Sequence, residues 1–105
     1  MKAIIGGKRY DTETAQYICD LSPRGFYTGD FRHEETALYR TPRGNWFLAG
    51  EGGPMSRWAR PEGLNGYSSG AGVRALDPDE ARAMLEQHGE TEAIERYFAD
   101  QVEDA

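Results

Sequence analysis

Apolar positions recur at strand-like spacing in the middle of the chain and at intervals of three and four residues near its C-terminus. Ile4 and Ile5 precede Gly6-Gly7, a pair suited to the positive φ of a tight turn, which predicts a short β-ribbon over residues 1 to 10. Asp11 then reads as an N-cap. Ala15, Ile18, Cys19 and Leu21 follow at helical spacing, predicting a helix near residues 12 to 20 that ends at Ser22-Pro23-Arg24-Gly25. Residues 35 to 41 and 45 to 49 flank Pro42-Arg43-Gly44 and predict a hairpin. Its runs Thr36-Ala37-Leu38-Tyr39 and Trp46-Phe47-Leu48 are the densest apolar cluster, so this hairpin should be the sheet centre, with Trp46 or Phe47 anchoring the core.

Beyond it, Gly50-Glu51-Gly52-Gly53-Pro54 reads as a turn and residues 55 to 59 as a short strand. Residues 60 to 72 hold so many helix and strand breakers that they read as a surface loop, before residues 73 to 76 close the sheet. Asp77, Pro78 and Glu80 match a capping box with proline at the first helical position. The helix they start carries Ala81, Met84, Leu85 and His88 on one face and breaks at Gly89; a second helix turns Ile94, Tyr97, Phe98 and Val102 inward. The expected architecture is one α+β domain over residues 1 to 105. An antiparallel sheet of three to five short strands packs against an N-terminal helix and a C-terminal helix pair.

Charge adds an asymmetry that the apolar pattern does not reveal. The net charge is −6, yet residues 77 to 105 hold ten carboxylates against Arg82 and Arg96, a net of −8, leaving +2 elsewhere. Such an end repels nucleic acid and attracts basic surfaces. The outward positions Asp79, Glu80, Glu86, Glu92, Glu95, Asp100, Glu103 and Asp104 are therefore the candidate partner-binding residues. Cys19 is the only cysteine, which argues against a disulfide scaffold and for a reducing compartment. The apolar run at the N-terminus is shorter than a signal-peptide core, so the expected location is the cytoplasm.

Sites of chemistry find little support. Gly70-Ala71-Gly72-Val73-Arg74-Ala75 matches a dinucleotide fingerprint but lacks a βαβ frame, and Gly50-Glu51-Gly52-Gly53 lacks the lysine and hydroxyl of a phosphate loop. His33-Glu34-Glu35 lacks the second histidine of a zinc helix. Cys19 reads as a buried apolar residue, and His88 as a cation near a helix C-terminus. Glu34, Glu35 and Glu51 could form a carboxylate pair across the hairpin. The expectation is a protein that is no enzyme and needs no metal or cofactor. Arg24, Tyr27, Phe31, Arg32, Arg40, Arg43, Arg57, Trp58 and Arg60 offer a competing surface for stacking on bases and holding phosphates.

The segments Lys8-Arg9-Tyr10-Asp11-Thr12-Glu13-Thr14-Ala15, Glu34-Glu35-Thr36-Ala37-Leu38-Tyr39-Arg40-Thr41 and Gly44-Asn45-Trp46-Phe47-Leu48, with Gly50-Glu51-Gly52-Gly53, carry a resemblance. It is to a family of small, largely uncharacterised proteins of bacterial phages, plasmids and integrative elements. Ala37 interrupts the Glu-Glu-Thr-Leu-Tyr order of that family and should shift side-chain facing or add a bulge. The resemblance implies the context that supplies anti-CRISPR proteins and other inhibitors of host defence. The leading expectation is thus an inhibitor that occupies a basic nucleic-acid-binding surface of a host protein, such as a CRISPR effector complex. The alternative is a nucleic-acid-binding or regulatory accessory protein that uses the arginine and aromatic surface.

Overall fold

A computed structural model describes residues 1 to 105. Its centre is a four-stranded antiparallel sheet in the order β3, β4, β5, β8, formed by Gln16–Asp20, Glu34–Arg40, Trp46–Gly52 and Gly70–Leu76. Two separate ribbons accompany it: β1 (Lys2–Ile5) with β2 (Lys8–Asp11), and β6 (Arg60–Glu62) with β7 (Gly66–Ser68). Helices α1 (Pro78–Gln87) and α2 (Thr91–Tyr97), then a 3-10 turn at Ala99–Gln101, end the chain. No helix is long and apolar enough to cross a membrane.

The β4–β5 hairpin is the sheet centre, as its apolar density predicts, and alternation along β5 gives it two cores. Trp46 and Leu48 face the helices, where Trp46 stacks on Phe98 at 5.3 Å and meets Tyr97 edge-on at 5.4 Å. Phe47 and Ala49 face the opposite side, where Phe47 meets Tyr10 of β2 and stacks on Tyr39. Trp46 and Phe47 are therefore both anchors, each of its own layer. The first ribbon turns at Gly6 and Gly7, whose φ values of 58° and 78° suit two consecutive left-handed residues.

The expected N-terminal helix is absent, and both helices lie at the C-terminus. Residues 12 to 15 form a turn in which the Asp11 side chain accepts from the Glu13 N–H and its carbonyl from the Thr14 and Ala15 N–H groups. Asp11 therefore caps no helix; its side chain and carbonyl close a turn. Ala15 packs against the Tyr10–Phe47 layer while Cys19 lies in the helix-side layer, so the apparent helical face is split between two sheet faces. The pattern over residues 16 to 20 is compatible with either element, and sheet pairing decides it. The expected irregularity at Ala37 falls on the neighbouring strand instead: β4 and β5 pair without a break, and the register shifts between Tyr17 and Cys19 on β3.

Two further expectations change. Residues 55 to 59 form turns rather than a strand, and the presumed loop over residues 60 to 72 contains the β6–β7 ribbon and the start of β8. Glycine is common here for a packing reason. Gly50 and Gly52 of β5 are paired with Gly72 and Gly70 of β8, and the 53 to 59 segment folds back over this bare strip of sheet. Trp58 lies on it: a Cβ at Gly72 would stand 3.5 Å from the indole ring, and one at Gly50 would stand 2.7 Å from its Nε1. At the other end of the core, Val102 is 49% exposed rather than inward, because α2 stops at Tyr97.

These clearances give a paired test. Gly50→Ala drives its methyl into the Glu35 carbonyl oxygen and the Trp58 indole, and should destabilise by about 1–3 kcal/mol, as overpacking does. Gly72→Ala meets only ordinary contacts and should be neutral or stabilising by up to about 1 kcal/mol through the unfolded chain. Urea midpoints of the two variants against the parent measure the difference.

Candidate functional site

The C-terminal acidic face is set by how α1 begins. Asp77 Oδ1 accepts from the Glu80 N–H at 2.8 Å, and Glu80 Oε1 accepts from the Asp77 N–H at 3.0 Å, completing the capping box. With the start fixed, Ala81 and Leu85 point into the core, and Asp79 and Glu86, two turns apart, share the outer stripe. On α2, Ile94 and Tyr97 pack against the core, which leaves Glu92 and Glu95 outward. Arg82 Nη1 donates to Gln101 Oε1 at 2.6 Å and ties α1 to the 3-10 turn that carries Asp100.

All eight candidate residues, Asp79, Glu80, Glu86, Glu92, Glu95, Asp100, Glu103 and Asp104, are exposed. They do not form one flat array. Four lie on helix flanks, Glu80 is engaged in the cap, Asp100 sits in the 3-10 turn, and Glu103 and Asp104 follow in the extended tail. None is ion-paired: the two salt bridges are Arg32–Asp30 and Arg57–Glu34. Their charge is therefore directed at solvent.

The arginine and aromatic residues of the competing surface are mostly bound into the fold. Arg32 donates to Asp30 from both Nε and Nη2 and lies 4.4 Å from the Phe26 ring centre. Those bonds hold the Asp30 carboxyl well below its usual range, at about 2. Arg40 lies over both the Trp46 and the Tyr97 rings, at 5.6 and 5.3 Å. Arg60 donates to the Ala71 carbonyl, and Arg57 pairs with Glu34 at 2.7 Å. Lys8, Arg9 and Arg43 share a shallow depression between two hairpin turns, with no aromatic side chain lining it. Tyr27 and Phe31, strongly exposed, line a different surface with Met55.

Sequence reasoning placed Trp58 on that outer surface, whereas the structure buries it to 9% exposure. Its indole N–H donates to Thr36 Oγ1 at 2.8 Å, and the Thr36 hydroxyl in turn donates to Glu34 Oε2, a carboxylate only 5% exposed. The Glu34 charge is balanced by Arg57 Nε, so donor, relay, acceptor and counter-ion form one chain. Such a network is worth keeping only when every member is satisfied. The signal in the sequence was the alternation of Glu34 with Thr36 on one strand face, opposite the glycine pairs.

Of the carboxylates expected to pair across the hairpin, the structure brings two together. Glu35 and Glu51 are directly opposite across β4 and β5, and with His33 they line an open concavity, but no cluster of three or more His, Cys, Asp or Glu side chains has metal-binding geometry. Like charges so placed destabilise a sheet slightly. Cys19 is buried on β3, where burial foremost, then Glu90 and Asp20, push its thiol up to about 11. No protein-family model matches the chain, nor does any curated protein or solved structure.

Two outcomes follow from this geometry. Thr36→Val leaves the Trp58 N–H and the Glu34 carboxylate without their shared hydroxyl and should lower stability by about 1–3 kcal/mol, with Trp58→Phe as a comparison that spares the Thr36–Glu34 bond; chemical denaturation measures both. The Cys19 thiol should resist a disulfide reagent in the native protein at pH 8 and react on unfolding. Because its folded pKa is raised, its contribution to stability is complete below about 9 and is lost as pH climbs toward about 11. Unfolding midpoints of parent and Cys19→Ala across that interval should converge.

Proposed function

We propose that this protein is an inhibitor from a mobile genetic element, of the anti-CRISPR kind, that binds a host protein through its acidic C-terminal face and blocks DNA or RNA access. The observation that carries this reading is the set of eight exposed carboxylates, none of them ion-paired, five of which lie on α1 and α2, helices whose apolar sides are committed to the core. A surface of this sign repels nucleic acid and complements the basic groove of a nucleic-acid-binding protein. The resemblance to small phage and plasmid proteins agrees with such a role. The rival reading, direct nucleic-acid binding, has weaker support, since four of its arginines are tied to Asp30, Glu34, the Ala71 carbonyl and the Trp46–Tyr97 rings.

Attraction between such surfaces speeds association and weakens with added salt. A pull-down from a bacterial lysate, with bound proteins identified by mass, should recover a nucleic-acid-binding protein. Replacing Glu92, Glu95, Asp100 and Glu103 with lysine, with the fold checked by circular dichroism, should slow association with that protein by about 10-fold or more and flatten its salt dependence. Unchanged association rates in this variant would assign the acids to solvation alone.

A further inference from the structure

We propose that the outer edge of β8 pairs with the same edge of a second copy of this chain, joining two four-stranded sheets into one eight-stranded antiparallel sheet. The argument begins with hydrogen-bond parity. Thr41 N–H donates to the Asn45 carbonyl and Gly53 N–H to the His33 carbonyl, which turns residues 47, 49 and 51 of β5 toward β4. Residues 46, 48, 50 and 52 therefore bond to β8, through Leu76, Arg74, Gly72 and Gly70. By the same alternation Ala71, Val73 and Ala75 direct their N–H and carbonyl groups away from the sheet. β8 is the last strand on that side, and β1 passes near it without forming a ladder.

An exposed strand edge is a template for another strand unless it is short, bulged, proline-bearing or charged. β3, at the opposite edge, has two of these protections: it is five residues long and its register shifts at Ile18. β8 is seven residues long, pairs with β5 without irregularity, contains no proline and bears one charge, Arg74. Its guards are Arg60, whose guanidinium covers the Ala71 carbonyl at 3.0 Å, and β1, which packs close to β8 without pairing with it.

The occupant is a second copy because the strand is complementary to itself. A two-fold axis at Val73 sets Val73 against its equivalent and Ala71 against the partner's Ala75, engaging every outward group of both strands. Arg74 then faces the partner's Gly72, so no like charges are directly opposed. Axes at Ala71 or Ala75 would carry one strand end past the other and leave outward groups unpaired. The acidic residues follow β8 in the helices and take no part in this ladder.

Sedimentation equilibrium of the full chain over a concentration series should give a species of twice the monomer mass. Val73→Pro removes the central outward N–H while sparing the bonds to β5, and should shift the dissociation constant at least tenfold toward monomer; Ala71→Pro, at an exposed position, is the second variant should the first not fold. Arg60→Ala should favour the dimer. The register has its own readout: under mild oxidation Val73→Cys should cross-link to itself and Ala75→Cys should not, with the buried Cys19 silent in both. A protein that stays monomeric at the highest concentration reached overturns the proposal. So does a dimer that both proline variants leave intact, or one in which Ala75→Cys cross-links and Val73→Cys does not.

Discussion

The hydrogen bond from the Trp58 indole to the Thr36 hydroxyl, backed by the Arg57–Glu34 ion pair, fixes the 53 to 59 segment on the sheet. The indole lies across Gly50 and Gly72, where side chains are absent, and it can remain dry there only because its single polar atom has an acceptor. Thr36 can accept because its own proton goes to Glu34, and Glu34 can be buried because Arg57 neutralises it. The turn over residues 53 to 59 is thereby closed over the β5–β8 half of the sheet, whereas α1 and α2 cover the remainder through Leu85 and Phe98. Removing Thr36 or Arg57 would leave a buried polar or charged group without its partner.

The division of labour on the molecule follows from this arrangement. With Trp58, Leu85, Phe98 and Trp46 filling the helix-side layer, and Phe47, Tyr10 and Tyr39 the other, both sheet faces are satisfied without help from the acidic residues. The carboxylates of α1, α2 and the tail can then be chosen for charge alone. Several arginines, by contrast, are structural: Arg57 balances Glu34, Arg32 holds Asp30 and Arg40 lies over the Trp46 and Tyr97 rings. A molecule whose acidic C-terminal end is free of ion pairs, while Arg32, Arg40, Arg57 and Arg60 are engaged within the fold, is suited to meeting a basic surface.

What could be read from the sequence was local. The Gly6-Gly7 turn, the hairpin around Pro42-Arg43-Gly44 and the Asp77 to Glu80 capping box each have their cause within a few residues, and each stands in the structure. The failures share a different cause. Ala15, Ile18 and Cys19 fit a helix until the sheet places Ala15 and Cys19 in opposite layers. The glycines at 50, 52, 70 and 72 resemble flexible loop until β5 and β8 pair them and a tryptophan is laid on top. Trp58 stands between Arg57 and Ala59 in a short, mostly polar stretch that does not mark it as core; the acceptor of its indole N–H, Thr36, is 22 positions away, and the rest of its layer comes from other strands and the helices. The exposure of the acidic residues was legible because amphipathic helices report their own outer face. The engagement of Arg40, Arg57 and Arg60 was not, since each depends on a contact made by folding.

The claim that most needs testing is that Trp58 is a structural latch and not a mobile surface aromatic. Native-state hydrogen exchange, followed by NMR at the two indole N–H groups, tests it directly. If the latch holds the sheet together, the Trp58 indole proton exchanges only through global unfolding, with the same free energy as the slowest amides of β4 and β5. Exchange at the rate of the exposed turns around it would contradict the account.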